Sequence, residues 1–303
     1  MKKNSFRILS SLGIVFILAA TVVTSCSKED DDVPVPKIDG YNNSDEVGAA
    51  NLKGYWSFDD NNKESKSGAG PSTTVGTVAA TDGVKGKGIS LTNGALYYPS
   101  NIAKLQTSTG FTISAWVQVK NTGSSPTLPM NVPYSYFQSA IPGQLFGNVT
   151  CMVEAGQYKF SSDTMVVKSI YKDLGGGTQD NINNYGVAGT DFQIVKKSGT
   201  GNWAHIVTTY NPNGGTGTQS VFRIYVDSVM VSNKNFENRG SAFKFTAGEV
   251  IIGGWYNNIP GKTVSSDLWT VPFNGKLDEI RVWDKLLPDA DITALFKLGK
   301  AGR

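Results

Sequence analysis

Gly110 to Lys120, GFTISAWVQVK, is the stretch on which the reading of the chain turns. Phe111, Ile113, Ala115, Val117 and Val119 alternate with Thr112, Ser114, Trp116, Gln118 and Lys120. A period of two places one set against a core and the other set on the opposite face of a strand. The β-branched and aromatic content suits a pleated, packed surface. The segment is expected to be the central strand of a two-sheet sandwich.

Working outward, Asn202–Tyr210 (NWAHIVTTY) is the next strong strand. Val221–Val231 reads as a hairpin turning at Asp227-Ser228, a poorer tight turn than Asn-Gly. Glu249–Trp255 (EVIIGGW) is a strand with a glycine pair suited to close backbone approach. Phe273–Trp283 (FNGKLDEIRVW) is the last strand, and strict alternation puts Leu277, Glu279, Arg281 and Trp283 on one face. Ile292, Leu295 and Phe296 at i, i+3 and i+4 then predict a short amphipathic helix over 288–298. On the N-terminal side, Leu52–Phe58 reads as the first strand, and Gly83–Gly88 as a glycine turn into Ile89–Leu91 and Ala95–Tyr98. Val149–Val153, Gln157–Phe160, Met165–Ile170 and Asp191–Val195 read as further strands. Residues 121–147, rich in proline and carrying Tyr134, Tyr136 and Phe137, read as a long irregular loop, and 174–184 as a second. The fold class is all-β: a two-sheet antiparallel jelly-roll sandwich with a short C-terminal helix.

Three domains follow from composition. Residues 1–25 start with Lys2, Lys3 and Arg7 and continue as an apolar run to Val23, which resembles a secretory signal too short and interrupted to prefer spanning a membrane. Val23-Thr24-Ser25-Cys26 resembles a lipobox, in which the chain is cut before Cys26 and the cysteine carries the lipid. Residues 26–50, with Pro34, Pro36, Gly40 and many acids and amides, read as a flexible tether. Residues 51–300 form the sandwich domain. The acidic run Glu29–Asp32 directly after Cys26 resembles the export signal of lipoproteins sent to the outer face of the outer membrane. Cleavage removes three of 28 basic residues and no acid, leaving 25 against 25. A neutral chain carries no broad field for nucleic acid, and lipid rather than surface charge would hold it to a membrane. With Cys26 lipidated, Cys151 has no partner for a disulfide and is expected to be a buried small hydrophobe.

The ordered set GYWSFD (54–59), GKG (86–88), FTISAWV (111–117), WAHIV (203–207), IYVD (224–227), IGGW (252–255) and FNGKLDEIRVW (273–283) resembles the laminin-G-like jelly rolls of the concanavalin A-like lectin/glucanase superfamily. That resemblance implies a lectin-like domain that binds polysaccharide, alone or with other surface glycan-uptake proteins. Non-catalytic binding is the leading reading, with two alternatives to test: a glycoside hydrolase or lyase on the same sandwich, and a protein-binding adhesion module. Retaining glycosidases need two carboxylates about 5–5.5 Å apart. A Glu-x-Asp-x-x-Glu strand would supply them and is absent, while a pair assembled from different strands stays open. His205, the one histidine, is expected to be a hydrogen-bonded structural residue. The superfamily also implies one structural calcium, for which Asp59 and Asp278 are the matching residues. Asp59 capping a turn and Asp278 bonding backbone amides explains the same residues without metal. For sugar, an aromatic face flanked by amides is required. Trp255, Tyr256, Asn257, Trp269, Tyr134 and Tyr136 are the candidates, since they are placed at a strand end or in long loops.

Overall fold

The described chain is built from sixteen strands, and the alternating stretch at 111–118 forms one of them. The computed structural model describes residues 35–105, 110–123, 132–214, 219–239, 242–246 and 248–303. The signal, Cys26 and the acidic run lie outside the described residues. The first strands are β1 (Leu52–Trp56), β2 (Thr73–Asp82), β3 (Lys87–Tyr98), β4 (Phe111–Gln118), β5 (Pro133–Ala140) and β6 (Val149–Glu154). Then come β7 (Thr164–Met165), β8 (Val167–Lys172), β9 (Thr178–Ile182), β10 (Val195–Lys196), β11 (Ala204–Asn211) and β12 (Ser220–Val226). β13 (Val229–Met230), β14 (Asn238–Arg239), β15 (Glu249–Ile252) and β16 (Phe273–Trp283) precede one helix, α1 (Asp289–Lys300).

Every pairing in the main sheet path is antiparallel, in the order β13-β12-β11-β4-β16-β3-β15-β5-β6-β8-β9. β3 serves both layers: Ile89 to Gly94 pair with β16, and Leu96 to Tyr98 pair with β15. The two layers close over one apolar interior. Phe111, Ile113, Ala115, Val117 and Val119 of the central strand enter it, each at most 1% exposed. They meet Ile206, Phe222 and Ile224 from their own layer, and Phe137, Cys151, Val153 and Val250 from the other. Full burial of one such large side chain is worth about 1.5–3 kcal/mol, against about 1 kcal/mol net for a hydrogen bond, so this face sets the register of the sandwich.

The opposite face of β4 is buried as well, although its residues are polar. Thr112 Oγ1 donates to Lys285 O at 2.8 Å and accepts from Leu287 N at 2.9 Å. Trp116 stacks on Phe296 of α1 at 5.9 Å between centroids. A second apolar cluster under α1 joins Val207 and Trp283 of the sheet to Ile292, Leu295 and Leu298. The hairpin turn forms at Asp227-Ser228 as expected, with both residues at positive φ.

Several expectations are corrected. Residues 174–184, read as loop, contain β9, paired with β8. Of Asp191–Val195, read as strand, only Val195 stands in one, β10. Residues 133–140, read as loop, are β5, fully buried and paired with β6 and β15. Gln157–Phe160, read as strand, is a turn joining β6 to β7. From Pro36 onward the chain belongs to the same compact unit as the sandwich, so the stretch 36–50 is not loose tether: Ser44, in the turn Ser44–Glu46, and Val47, just after it, are buried. Among the described residues no helix is long and apolar enough to cross a membrane.

Candidate functional site

Where β4 ends and β16 begins, the chain opens a cleft of about 340 Å³ at the rim of the sandwich. Five separate segments line it: Gln118–Thr122, Tyr134, Phe160, Gly199–Thr200 and Asn274–Gly275. Hydrogen bonds hold these walls together. Gly199 N donates to Val119 O at 2.9 Å, and Asn121 N to Ser198 Oγ at 2.8 Å. Asn121 Nδ2 donates to Ser162 O (3.1 Å) and Thr164 O (2.8 Å), which fixes the loop that carries Phe160. Asn274 Nδ2 donates to Tyr134 Oη at 3.3 Å and to Asn93 Oδ1 at 2.9 Å. Burial pushes the Tyr134 phenol above its ordinary pKa, so it stays a neutral hydroxyl in neutral solution.

Phe160 is the exposed aromatic of the cleft, with 61% of its surface in water. Lys120 Nζ lies 3.5 Å from its ring centroid. An exposed ring held by a braced loop, with amides and hydroxyls of Gln118, Asn121, Thr122 and Thr200 around it, suits the apolar C–H face and hydroxyls of a sugar. Among the described residues that line the cleft none is Asp or Glu, so it holds no acid/base pair for glycosidic cleavage. Glu154, whose carboxyl burial pushes up in pKa, stands on β6 outside this lining.

The residues expected to form a sugar platform fall elsewhere, with one partial exception. Trp255 is fully buried, donates Nε1 to Pro133 O at 3.0 Å, and packs edge-on against Trp269 at 5.2 Å. Trp269 is half-buried and stacks on Phe146, so this pair pins two loops over Met152 and Ile170. Tyr256 packs under its own loop with Tyr97 and Ile251. Tyr136 lies in the main core. Asn257 accepts from Val264 N at 2.8 Å and donates to Ser265 Oγ at 2.8 Å, organising residues 257–270. The rings of Trp255, Tyr256 and Tyr136 are closed off from water and cannot stack on a sugar, and the half-buried Trp269 and Asn257 stand outside the lining of the cleft. Tyr134 alone reaches the cleft, as part of its lining.

Asp59 and Asp278 meet the glycine turn 83–86 instead of a third acidic ligand. Asp278 Oδ2 accepts from Val84 N (2.7 Å) and Lys85 N (3.2 Å), and its Oδ1 accepts from Glu279 N (2.8 Å). Asp59 Oδ1 accepts from Lys87 N at 2.9 Å. Among the described residues no three of His, Cys, Asp or Glu cluster closely enough for a metal, and the bonds to this turn account for both carboxylates as acceptors of backbone amides. Burial, then the neighbouring Glu279, pushes Asp278 up to about 7 in spite of the three amides.

A buried polar layer lies on the α1 side of the first sheet. Arg281 pairs with Glu279 and with Asp45, both at 2.6 Å, and its guanidinium lies over Tyr55. Tyr55 Oη donates to Glu279 at 2.6 Å. His205 Nε2 meets Ser114 Oγ at 2.8 Å, and burial with help from Arg281 lowers its pKa to about 3. The histidine is structural, as its place in a strand beside Trp203 led one to expect.

The polar and aromatic cleft side chains that sequence reasoning missed are Gln118, Lys120, Asn121, Thr122, Phe160, Thr200 and Asn274. The one available signal was at Phe160, where Ala155-Gly156 before it and Ser161-Ser162-Asp163 after it mark a turn.

The architecture defines a class: a two-layer antiparallel sandwich of the lectin type, with its open cleft at the loop end. Residues 90–293 match the laminin-G-type family described as the concanavalin A-like lectin/glucanases superfamily, and the chain belongs to that family. No curated protein matches it. Among solved structures, the binding domain of botulinum neurotoxin serotype C1 is similar at 15% identity and a TM-score of 0.51, covering 82% of this chain and 52% of that one. The chain thus spans about half the length of that binding domain. Domain 4 of AbnA, an extracellular arabinanase from Geobacillus stearothermophilus solved with arabinotriose, aligns at 19% identity and a TM-score of 0.49, covering 81% and 98%. At such identities the likeness concerns the fold.

Proposed function

We propose that this chain is a lipid-anchored protein of the outer cell surface that binds polysaccharide through the Phe160 cleft without cleaving it. One observation carries the reading. A large aromatic, exposed on a hydrogen-bonded loop, stands at a cleft lined by amides and hydroxyls with no Asp or Glu among its described residues. Membership of a lectin/glucanase superfamily agrees with a sugar ligand, and the carboxyl-free lining separates binding from hydrolysis. The anchor reading rests on Cys26 and the small residues before it. Held at the surface, the domain would capture glycan for neighbouring uptake or degradation proteins.

The test is a glycan array with the purified chain, run beside an assay for released reducing ends. Binding without release is expected. Release that Glu154→Gln abolishes would make the protein a hydrolase. The anchor is tested by Cys26→Ser, which should move the protein from the membrane to the soluble fraction. A variant that stays with the membrane would refute lipid attachment at Cys26.

A further inference from the structure

The loop from Lys196 to Trp203 has a cleft on each side. Gly199 and Thr200 close the cleft already described. Gly201, Asn202 and Trp203 line a second one, of about 250 Å³, together with Trp116, Lys197 and Lys300. Thr200 and Gly201 are successive residues, about 3.8 Å apart along the chain, so the two clefts share one narrow ridge. Gly201 has a φ of +90°, and a Cβ placed on it would meet nothing within 4 Å. At Gly201 the ridge is bare backbone open to water, flanked by the exposed side chains of Thr200 and Asn202.

Each cleft offers an aromatic surface, Phe160 in the first and the half-buried Trp203 in the second. The charged side chains lining the two are all lysines: Lys120, Lys197 and Lys300. Lys197 is matched by Asp227. Lys120 faces the Phe160 ring, and Lys300 is exposed with no ion pair among the described residues. Lys300 ends α1, where helix carbonyls would repel an anion. Those carbonyls are capped, since Ala301 N donates to Lys297 O at 3.1 Å and Arg303 N to Leu298 O at 2.9 Å. The charged side chains that line this rim are all cationic.

We propose that the bound polysaccharide is acidic, with carboxylate-bearing sugars, and that it runs from one cleft to the other across Gly201. The proposal rests on the glycan reading of the first cleft. Carboxylates of the chain meet Lys120 and Lys300, and its sugar faces meet Phe160 and Trp203. Complementary charge raises the encounter rate and rejects neutral competitors.

The experiment measures affinity of the full chain for polygalacturonate and alginate, and for neutral arabinan and dextran. The acidic polymers should bind, and raising NaCl from about 0.05 M to 0.5 M should weaken them by about tenfold or more. The double variant Lys120→Gln/Lys300→Gln should lose about tenfold for them at low salt with its melting temperature unchanged. Trp203→Ala should weaken polymer binding by about fivefold. Equal, salt-independent binding of arabinan or dextran would overturn the acidic ligand while leaving glycan binding intact. Undiminished binding by Trp203→Ala would overturn the crossing of the ridge. Binding to none of the four polymers, nor to any glycan on the array, would overturn both this inference and the function on which it rests.

Discussion

His205 shows at single-residue scale how the buried polar layer shapes stability. Its folded pKa lies at about 3, far below the ordinary 6.5, because burial and Arg281 disfavour the imidazolium. The unfolded chain takes up this proton as pH falls below 6.5, while the folded chain resists until about 3. The contribution is thus complete above pH 6.5 and is lost downward at about 1.4 kcal/mol per pH unit. Denaturant unfolding at pH 7 and 4.5 should show the wild type losing about 2–3 kcal/mol more than His205→Gln. Equal losses would mean that the ring is protonated in the fold. Burial also explains which functional residues could be read in the sequence. Trp255 and Phe160 are both aromatics at the edge of a strand pattern, but Trp255 is fully buried against Phe146, Trp269 and Met152, whereas Phe160 is 61% exposed with Lys120 over its ring. Nothing local distinguishes them, because burial is decided by loops distant in sequence.

Among the elements, β16 has the bounds its sequence predicts, but its alternation breaks. Glu279 sits at a φ of +51°, and the pairing with β4 slips by one residue between Asp278 and Arg281. This bulge puts Leu277, Ile280 and Val282 into one core, and sends Trp283 to the cluster under α1. Strict period two cannot foresee an inserted residue. β5 escaped notice for a different reason: it is buried on both faces, so PYSYFQSA has no apolar alternation, and Pro133 at its start looks like loop. The docking of α1 makes a prediction of its own. A Cβ at Gly299 would stand 2.6 Å from the Trp116 ring. Alanine should gain about 1 kcal/mol in helix propensity, yet overpacking costs about 1–3 kcal/mol, so Gly299→Ala should melt lower. A higher melting temperature would show that α1 does not seat its last turn on Trp116.

Across the whole molecule, the residues after Pro36 strap the first sheet to the C-terminus. Arg303 donates to Pro36 O (2.9 Å) and Asn42 O (2.8 Å), and Lys297 pairs with Asp39. The centre of the strap is Arg281, and the partners matter unequally. Asp45 is half exposed, so Asp45→Ala should cost about 1 kcal/mol or less. Arg281→Ala strands buried Glu279 and should cost about 3–5 kcal/mol, and equal costs in thermal unfolding would disprove this ranking. The overall architecture was legible because strands such as β4, β11, β12 and β16 each announce themselves within one window and those windows come in order. The cleft was not, because its walls come from five windows that meet only after the layers close. The central claim is that this meeting place holds sugar. Its most direct test is a binding titration of wild type and Phe160→Ala against a glycan that the array selects. Phe160→Ala should bind at least about tenfold more weakly while melting at the wild-type temperature, since the ring is mostly in water. Undiminished binding by that variant would contradict the account.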